Sequence, residues 1–293
     1  MNDSSPAVAG LPGDDHVHTE FSYDAERGSM LAACQQAVDL GLPSIAFTEH
    51  IDRTPWHVPP EFQSKFDDMF RGGIDHHHCF HAPEFDVDGY FEMVERCRRR
   101  YPSLRILAGL ELGEPHWFPE HTTELLGSGQ FDRVLGSIHS VKVADHYRLI
   151  DEWFRSEALV EAAEDAAVHQ YLAEAVAMIK ANDDFEVFAH IDYLTRQIVA
   201  TGRSHDPRRY EESYRETLRA LAGSERVLEI NTRVPLDPII VMWWHDMGGG
   251  AISFGSDAHE GPKVGHGFEA AAAMAESIGY GPRPDRLDFW HRA

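Results

Sequence analysis

The chain has 293 residues, with 26 Lys and Arg against 49 Asp and Glu, so its formal net charge is −23 when histidine is neutral. This balance argues against nucleic acid or an anionic membrane as a partner, because phosphate groups attract basic surfaces. Hydrophobic residues make up 43% of the chain, as in ordinary globular proteins, and no apolar run approaches the about 20 residues of a membrane span. These values predict a soluble protein.

The N-terminus and the cysteines predict a cytoplasmic location. The first 13 residues, MNDSSPAVAGLPG, contain neither a basic segment nor a long apolar stretch, so we expect no secretory signal. The three cysteines, Cys34, Cys79 and Cys97, are odd in number and far apart in sequence, which favours reduced thiols over a disulfide framework. The unusual residue is histidine, which occurs nineteen times.

Seven short apolar or β-branched runs follow one another along the chain, and each ends in a polar or histidine-containing cluster. In chain order they are DDHVH, LPSIAFTEH, LRILAGLELGE, FDRVLGSIH, FEVFAHID, RVLEINT and GAISFGSDAH. Helical spacing occurs in residues 166–180 and 207–221, and another helix is predicted to end near Leu40, before Gly41. Strands that alternate with helices predict an α/β fold with a parallel sheet.

The chemically active residues lie at the C-terminal ends of these strands, where a β/α barrel assembles its active site. A doubly wound sheet would usually show a Gly-rich phosphate turn after its first strand, and the sequence has none there. We therefore expect one TIM-like barrel domain over residues 1–293, with 1–13 and 281–293 as peripheral tails. Two long excursions, 53–90 and 141–165, leave from strand ends and are candidate walls or lids of the site.

Histidines and carboxylates at the strand ends predict a metal site. Residues i and i+2 of a strand point the same way and lie roughly 6.5 Å apart, so His16 and His18 can bind one ion. Asp257 and His259 repeat this spacing after the last strand. Imidazoles and carboxylates without thiolates suit zinc, manganese, iron or cobalt. The other candidates at strand ends are Glu49, His50, Glu111, His139 and His190.

Six segments, in order along the chain, resemble the motifs of the polymerase and histidinol phosphatase (PHP) family of metallohydrolases. They are HVHTEFSYD, FTEH, GLEL, IHS, AHID and GSDAH. Their flanks are most similar to those of the stand-alone histidinol-phosphate phosphatase branch. The resemblance implies a distorted (β/α)7 barrel with three divalent metal ions at the C-terminal ends of the strands. The ligands that it implies are His16, His18, Glu111 and Asp257 for the first ion, Glu111, His139 and His190 for the second, and Asp24, His50 and His259 for the third.

The implied reaction is hydrolysis of a small phosphate monoester, L-histidinol phosphate or a similar metabolite of histidine biosynthesis. A hydroxide that bridges the first two ions would attack the phosphorus, so Glu111 and Asp257 would be catalytic through the ions that they bind. Three divalent ions and the three ligand carboxylates would leave a local charge of about +3. An anionic substrate would then be attracted locally, although the whole chain is strongly acidic.

Several further residues are candidates for substrate binding or catalysis. Arg196 follows His190 by six residues, and its guanidinium suits a phosphate group, although it could equally be a surface arginine. Asp52 and Asp192 each follow a histidine by two residues, so they are candidate outer acceptors, general acids or helix caps. The remaining candidates for the substrate pocket are Lys142, Arg233, Asn231, His57 and His116.

Two alternatives stay open at this stage. The same pocket could act on a phosphodiester or nucleotide, as a phosphodiesterase or nucleotidase. A nuclease or nucleic-acid module is disfavoured, because the sequence has no basic stripe or aromatic-rich basic groove. The sequence does not predict the oligomeric state. A run of histidines that matches no motif is expected to form a solvated loop or part of a lid: His76, His77, His78 and His81.

Overall fold

The structure, a computed structural model, describes residues 10–151, 153, 161–181, 183–200, 202–283 and 286–293. The strands in these residues are β1 (Asp14–Val17), β2 (Ser44–Asp52), β3 (Trp56–His57), β4 (Gly73–Ile74), β5 (Cys79–His81), β6 (Arg105–Gly113), β7 (Arg133–Ser137), β8 (Ser140–Val143), β9 (His146–Leu149), β10 (Val187–Phe188), β11 (Val227–Asn231), β12 (Ala251–Gly255), β13 (Tyr280–Arg283) and β14 (Arg286–Arg292). The α-helices are α1 (Met30–Leu40), α2 (Gln63–Met69), α3 (Val87–Arg100), α4 (Pro119–Gly127), α5 (Glu161–Ala181), α6 (Tyr193–Ala200), α7 (Glu211–Ala222), α8 (Pro238–Asp246) and α9 (Phe268–Ile278).

The main sheet is built from the seven predicted strand segments. Strands β1, β2, β6, β7, β10, β11 and β12 lie side by side in this order, and each runs parallel to its neighbour. The sheet curls, because the segment after β12 returns to β1: the amide of His18 donates to the carbonyl of Ala258 at 2.8 Å, and that of Asp257 to His16 at 2.8 Å. The predicted α/β fold with parallel strands is confirmed.

Helix boundaries follow the predicted start and stop signals. Helix α1 ends at Gly41, whose φ of 70° is the left-handed conformation that glycine adopts without strain. The predicted helix over 207–221 begins as a 3-10 turn, Pro207–Tyr210, and continues as α7. Its first turn is capped by Asp206, whose side chain accepts from the amide of Arg208. Helix α5 covers the predicted segment 166–180.

The C-terminal segment is part of the sheet. Strand β14 pairs antiparallel with β12, and β13 pairs with β14, so in the described part of the chain these two strands extend the seven parallel strands to a sheet of nine. Trp290 is buried, and its ring packs edge-on against Phe254 with centroids 5.0 Å apart. The prediction of a peripheral tail over 281–293 is therefore wrong, because burial of apolar side chains fixes this segment on the core. Of the predicted N-terminal tail, residues 1–9 lie outside the described residues.

The two excursions pack against each other beside the end of β1. The first contains a small sheet in the order β3, β5, β4. Its aromatic core joins Trp56 and Phe80, stacked with centroids 6.0 Å apart, to Tyr23 after β1 and to Leu149 of the second excursion. A wall near the site is thus built from three separate chain segments. Residues 152 and 154–160 of the second excursion lie outside the described part of the chain.

Two further expectations concern thiols and membranes. The three cysteines are free, as predicted, and Cys34 and Cys97 are buried. No helix in the described part of the chain combines the length and the apolar character needed to cross a bilayer.

The buried hydroxyl of Tyr90 gives a test of how the sheet is held together. It donates to the carbonyl of Phe47 in β2 at 2.7 Å and accepts from the amide of Gly109 in β6 at 2.7 Å. Tyr90→Phe leaves both backbone groups buried without this partner, so we expect a loss of about 1 to 3 kcal/mol in the free energy of unfolding. Tyr101→Phe is the control, because its hydroxyl makes one bond, of 3.2 Å, to Leu31 in a part-buried position. Urea denaturation measures both variants, and equal losses would contradict this role of Tyr90.

Candidate metal centre

The nine predicted ligands meet at one edge of the curled sheet. Because parallel strands end at the same edge, residues at or just after their C-terminal ends are brought together. His16 lies in β1, His50 in β2 and Glu111 in β6, whereas the other ligands lie in the segments that follow strands. These other six are His18, Asp24, His139, His190, Asp257 and His259.

Glu111 lies at the centre of this group and is fully buried. Its Oε1 lies 2.7 Å from Nε2 of His190 and 3.2 Å from Nε2 of His139. The two histidines come from the ends of β10 and β7, and their ring centroids lie 5.4 Å apart. One carboxylate oxygen thus faces two imidazole nitrogens. Binding of a cation by these three atoms would need little change in the distances between them.

The second oxygen of Glu111 faces three more imidazole nitrogens. Oε2 lies 3.2 Å from Nε2 of His16, 3.4 Å from Nε2 of His18 and 3.0 Å from Nδ1 of His50. None of these nitrogens is aligned for a hydrogen bond, and Oε2 has no hydrogen-bond partner among the described residues. Buried polar atoms without partners are rare in native proteins, and an ion is one explanation for them. The donor set fits divalent metal ions.

Asp24 and His259 form the outer part of the group. Oδ2 of Asp24 lies 2.9 Å from Nε2 of His259 and 3.4 Å from Nε2 of His50. Asp257 has a positive φ of 53°, and its Oδ1 lies 3.6 Å from Nε2 of His18. Among the described residues, four groups of three have possible ligand atoms within 4.8 Å of one another: His18, His50 and His259; His16, Glu111 and His190; His16, His18 and Asp257; and His50, Asp52 and His139.

The charges of the ligands depend on one another. Burial alone would raise the pKa of Glu111, but the surrounding imidazoles, His16 and His139 foremost, hold that pKa well below its usual range. Burial would lower the pKa of His50, but the carboxylates of Asp24 and Glu111 raise it to about 10. These shifts favour an ionised Glu111 and a protonated His50 at neutral pH, whereas burial and the neighbouring imidazoles hold the pKa of His18 well below its usual value. Divalent cations can take the place of these protons, since metal binding releases protons from its ligands.

Outer residues orient the candidate ligand histidines. Nδ1 of His139 donates to Oδ1 of Asp52 at 2.9 Å, so the structure favours the outer-acceptor role among the three alternatives for this aspartate. Nδ1 of His18 donates to Oγ of Ser22 at 3.1 Å, and Ser22 donates to Glu49 at 2.5 Å. Glu49, a candidate at the end of β2, thus supports a ligand through Ser22.

Two functional carboxylates were missed from the sequence, Glu114 and Glu229. Glu114 accepts from the amides of His139 at 2.6 Å and of Ser140 at 2.8 Å, so it fixes the turn that presents His139. Oε1 of Glu229 lies 2.6 Å from Nδ1 of His16. The alternation of Glu229 and Asn231 in RVLEINT, which matches that of the HxH segment, was the available signal.

Arg196 and Arg233 both reach Asp257, but from different sides. Arg196 is buried and donates through Nε and Nη2 to Oδ1 of Asp192, at 2.9 and 2.7 Å, while its Nη1 lies 3.6 Å from Oδ2 of Asp257. Arg233 is 53% exposed, and its Nη1 lies 3.1 Å from Oδ1 of Asp257. Asn231 is buried and donates to Glu229 at 3.1 Å. Arg233 is therefore the arginine of the two that has a solvent-facing side.

Three candidate substrate residues make their contacts elsewhere. His57 stacks on His146 with ring centroids 4.5 Å apart, and Nε2 of His116 lies 2.7 Å from Glu174. Lys142 is exposed in β8 and lines a small cavity of about 100 Å³. In the histidine-rich run, His76, His77, His78 and His81 are exposed, as a solvated excursion predicts.

Two cavities lie beside the candidate ligands, and both are lined by Asp24, Glu26, Arg233 and His259. One, of about 420 Å³, is also bounded by the cations Arg27 and Lys263. The other, of about 340 Å³, continues toward the first excursion. Its remaining walls include the side chains of Phe62, Lys65, Phe66, Asp68, Phe70 and Asp151.

The PHP domain model matches residues 14–233, which is most of the chain. The chain belongs to the PHP domain family. It is 27% identical over 275 residues to a histidinol-phosphatase of Lactococcus lactis, with 91% of each protein covered, and 28% identical over 284 residues to a probable histidinol-phosphatase of Clostridium acetobutylicum, with 92% of this chain and 94% of that protein covered. The predicted similarity to stand-alone histidinol phosphatases is thus confirmed.

Solved structures support the same fold. The crystal structure of histidinol phosphate phosphatase from Lactococcus lactis, complexed with zinc, L-histidinol and phosphate, has a TM-score of 0.71 at 22% identity and covers 92% of this chain and 94% of its own. The putative histidinol phosphatase of Listeria monocytogenes has a TM-score of 0.65 at 18% identity and covers 88% of this chain and 99% of its own. At these identities the likeness shows a shared fold.

Glu111→Gln tests whether the centre binds metal ions. The amide is neutral and one of its two positions is a donor, so it cannot balance two ions as the carboxylate can. We expect zinc retained after dialysis to fall by at least one ion per chain, measured by elemental analysis. Glu174→Gln is the control, because this carboxylate also accepts from an imidazole, that of His116, outside the centre. Equal zinc content in the two variants would remove Glu111 from the ligand set.

Proposed function

We propose that this chain is a metal-dependent phosphatase that hydrolyses a small phosphate monoester, with L-histidinol phosphate as the leading substrate. The observation that carries this is the convergence of the predicted ligands on the buried carboxylate of Glu111. The relatives named histidinol-phosphatases support the monoester class. Zinc, L-histidinol and phosphate in the Lactococcus lactis structure support the metal and the substrate. This reaction would place the chain in histidine biosynthesis.

The proposal includes three ions in one distorted (β/α)7 barrel domain. The seven parallel strands are its β elements, and the contact between β1 and the segment after β12 is the closure that a barrel needs. His16, His18 and Asp257 hold the first ion, with Glu111 shared with the second. His139 and His190 complete the second, and the third is held by Asp24, His50 and His259. Of the four groups found among the described residues, the group of His16, His18 and Asp257 falls within this division. The other three join candidate ligands of neighbouring ions, as expected for ions that share one compact centre.

When bound, the ions supply an activated water and positive charge for the phosphoryl oxygens. The protein residues bind and orient the substrate. We assign the phosphate contact to Arg233, because its guanidinium lies beside Asp257 and His259 and lines both cavities. Arg196 lines a separate cavity of about 480 Å³ with Asp192. Arg196 is then a positioning residue that holds Asp257, and Asp192 holds Arg196.

The organic part of the substrate extends into the cavity of about 340 Å³. This volume lies within the range for small-molecule sites, about 300 to 1,000 Å³. Phenylalanine side chains on one wall exclude water from an apolar part of the substrate, and Asp68 and Asp151 offer carboxylates to a cationic group. The walls therefore favour a compact phosphate monoester with a positively charged leaving group.

Metal analysis combined with turnover tests the proposal. Purified protein reconstituted with zinc or manganese should contain close to three ions per chain. It should hydrolyse L-histidinol phosphate faster than nucleotides or phosphodiesters at equal concentration. One ion or none after reconstitution would contradict the three-ion centre. Faster turnover of a phosphodiester would instead favour the phosphodiesterase alternative.

Arg233→Lys tests the phosphate contact. Lysine keeps the charge but loses the planar fork of the guanidinium. Loss of a charge-assisted hydrogen bond costs about 1.5 to 3 kcal/mol, so we expect kcat/KM to fall by about one to two decades with zinc content unchanged. His76→Ala, in the exposed histidine run, is the control and should retain wild-type kcat/KM. If Arg196→Lys lowers kcat/KM at full zinc content and Arg233→Lys does not, the phosphate contact belongs to Arg196 rather than to Arg233.

A further inference from the structure

Glu229, in β11, contacts two segments that carry different parts of the metal centre. Its side chain is buried. Oε1 lies 2.6 Å from Nδ1 of His16, and Oε2 accepts from the backbone amide of His190 at 2.7 Å. In the division proposed above, His16 belongs to the first ion and His190 to the second. One carboxylate therefore joins ligands of two ions without being a ligand.

Each contact fixes something that a metal ligand needs. With Nδ1 of His16 bound to Glu229, Nε2 of the same ring faces Glu111 at 3.2 Å. A carboxylate on the outer nitrogen fixes the ring orientation and makes the inner nitrogen a stronger donor to a cation. His190 has a φ of 23°, which a residue other than glycine rarely adopts. The bond from its amide to Glu229 holds this strained backbone in place.

The neighbouring strand leaves room for this pair. A Cβ at Gly255, in β12, would lie 2.1 Å from Oε1 of Glu229 and 2.6 Å from Cβ of His16. Any larger residue at position 255 would have to push the carboxylate or the ring away. The absence of a side chain at Gly255 is therefore a structural requirement of the contact between Glu229 and His16.

Asp52 and His139 form a second contact of the same kind, in which a glycine on the next strand again leaves space for the acidic side chain. Asp52 accepts from Nδ1 of His139 at 2.9 Å, and a Cβ at Gly113 would lie 2.0 Å from Oδ1 of Asp52 and 3.3 Å from that Nδ1. In both cases an acidic side chain on one strand holds a ligand imidazole, and a glycine on the next strand makes space for it. The repetition indicates a role in the metal centre rather than incidental packing.

We propose that Glu229 is a positioning residue that sets the affinity of the first two metal ions together. It acts through the ring of His16 and the backbone of His190. The contact with His16 requires that position 255 has no side chain, as in Gly255. The inference rests on the metal centre of the proposed function. It concerns ion binding, however, and can be measured without any substrate.

Zinc competition with a chelator tests this inference. Glu229→Gln has the same shape as the native residue but no charge, so it should bind two of the zinc ions about 10 to 100 times more weakly, the usual cost of losing such an outer partner. The third should be held as in wild type, because Asp24 and His259 contact each other and not Glu229. Gly255→Ala keeps the charge of Glu229 but displaces its carboxylate, so it should weaken the binding of the same two ions.

Glu174→Gln is the matched control, since Glu174 also pairs with an imidazole but lies outside the centre. It should retain zinc as wild type does. Wild-type zinc affinity in Glu229→Gln, even with a lowered melting temperature of the metal-free protein, would overturn the inference and leave a structural role. A wild-type protein that takes up no zinc would overturn both the inference and the proposed function. Zinc uptake without phosphatase activity would overturn the reaction alone, and the comparison of variants would still decide the role of Glu229.

Discussion

The structure depends on one buried negative charge, that of the Glu111 carboxylate. Glu111 is buried and ionised, and a buried carboxylate is stable only when opposite charges or hydrogen bonds surround it. Five imidazoles from four strand ends lie within 3.4 Å of its two oxygens. In this fold, residues so far apart in sequence meet around one point because their strands run parallel and end at the same edge of the sheet. The parallel order of the strands and the chemistry of the site are thus one constraint.

This constraint explains how much the sequence could predict. Six of the seven strand segments end in a histidine or a carboxylate, so local pattern was enough to find the strands and most of the candidate ligands. Asp24 and the division of the ligands among three ions came from the resemblance to the PHP family. The roles of Glu229 and Arg196 were not predictable in this way. Glu229 meets His16 across 213 positions, and the contact depends on the order of β12 and β1 in the curled sheet. Arg196 has the right residue type for phosphate, but its direction is set by Asp192 one helical turn away.

The C-terminal strand and the packing of the two excursions also depend on contacts between distant segments. In RLDFWHR the apolar residues alternate over only three positions, Leu287 to Phe289, and are followed directly by Trp290, so the sequence gives only a weak strand period. Its place on β12 follows from tertiary burial of Phe289 and Trp290. The excursions were recognised by their length alone, since their shared aromatic core is formed by side chains from three segments. Local pattern predicts elements well, whereas contacts between distant elements need the fold.

The net charge of the chain and the charges beside the candidate ligands act on a substrate over different distances. At physiological ionic strength, charges more than about 8 Å apart in solvent are largely screened, so a substrate inside a cavity responds mainly to its immediate neighbours. Arg233, Arg27 and Lys263 line the cavity beside the candidate ligands together with the carboxylates of Asp24, Glu26, Asp257 and Glu260. A positive field in this cavity would therefore come from bound divalent ions. A polymer of phosphates would extend beyond the cavity and meet a chain whose net charge is −23. A small phosphate monoester would stay beside the bound ions and avoid that repulsion. The charge distribution therefore favours a metabolite over nucleic acid, for the same physical reason that the centre can attract an anion at all.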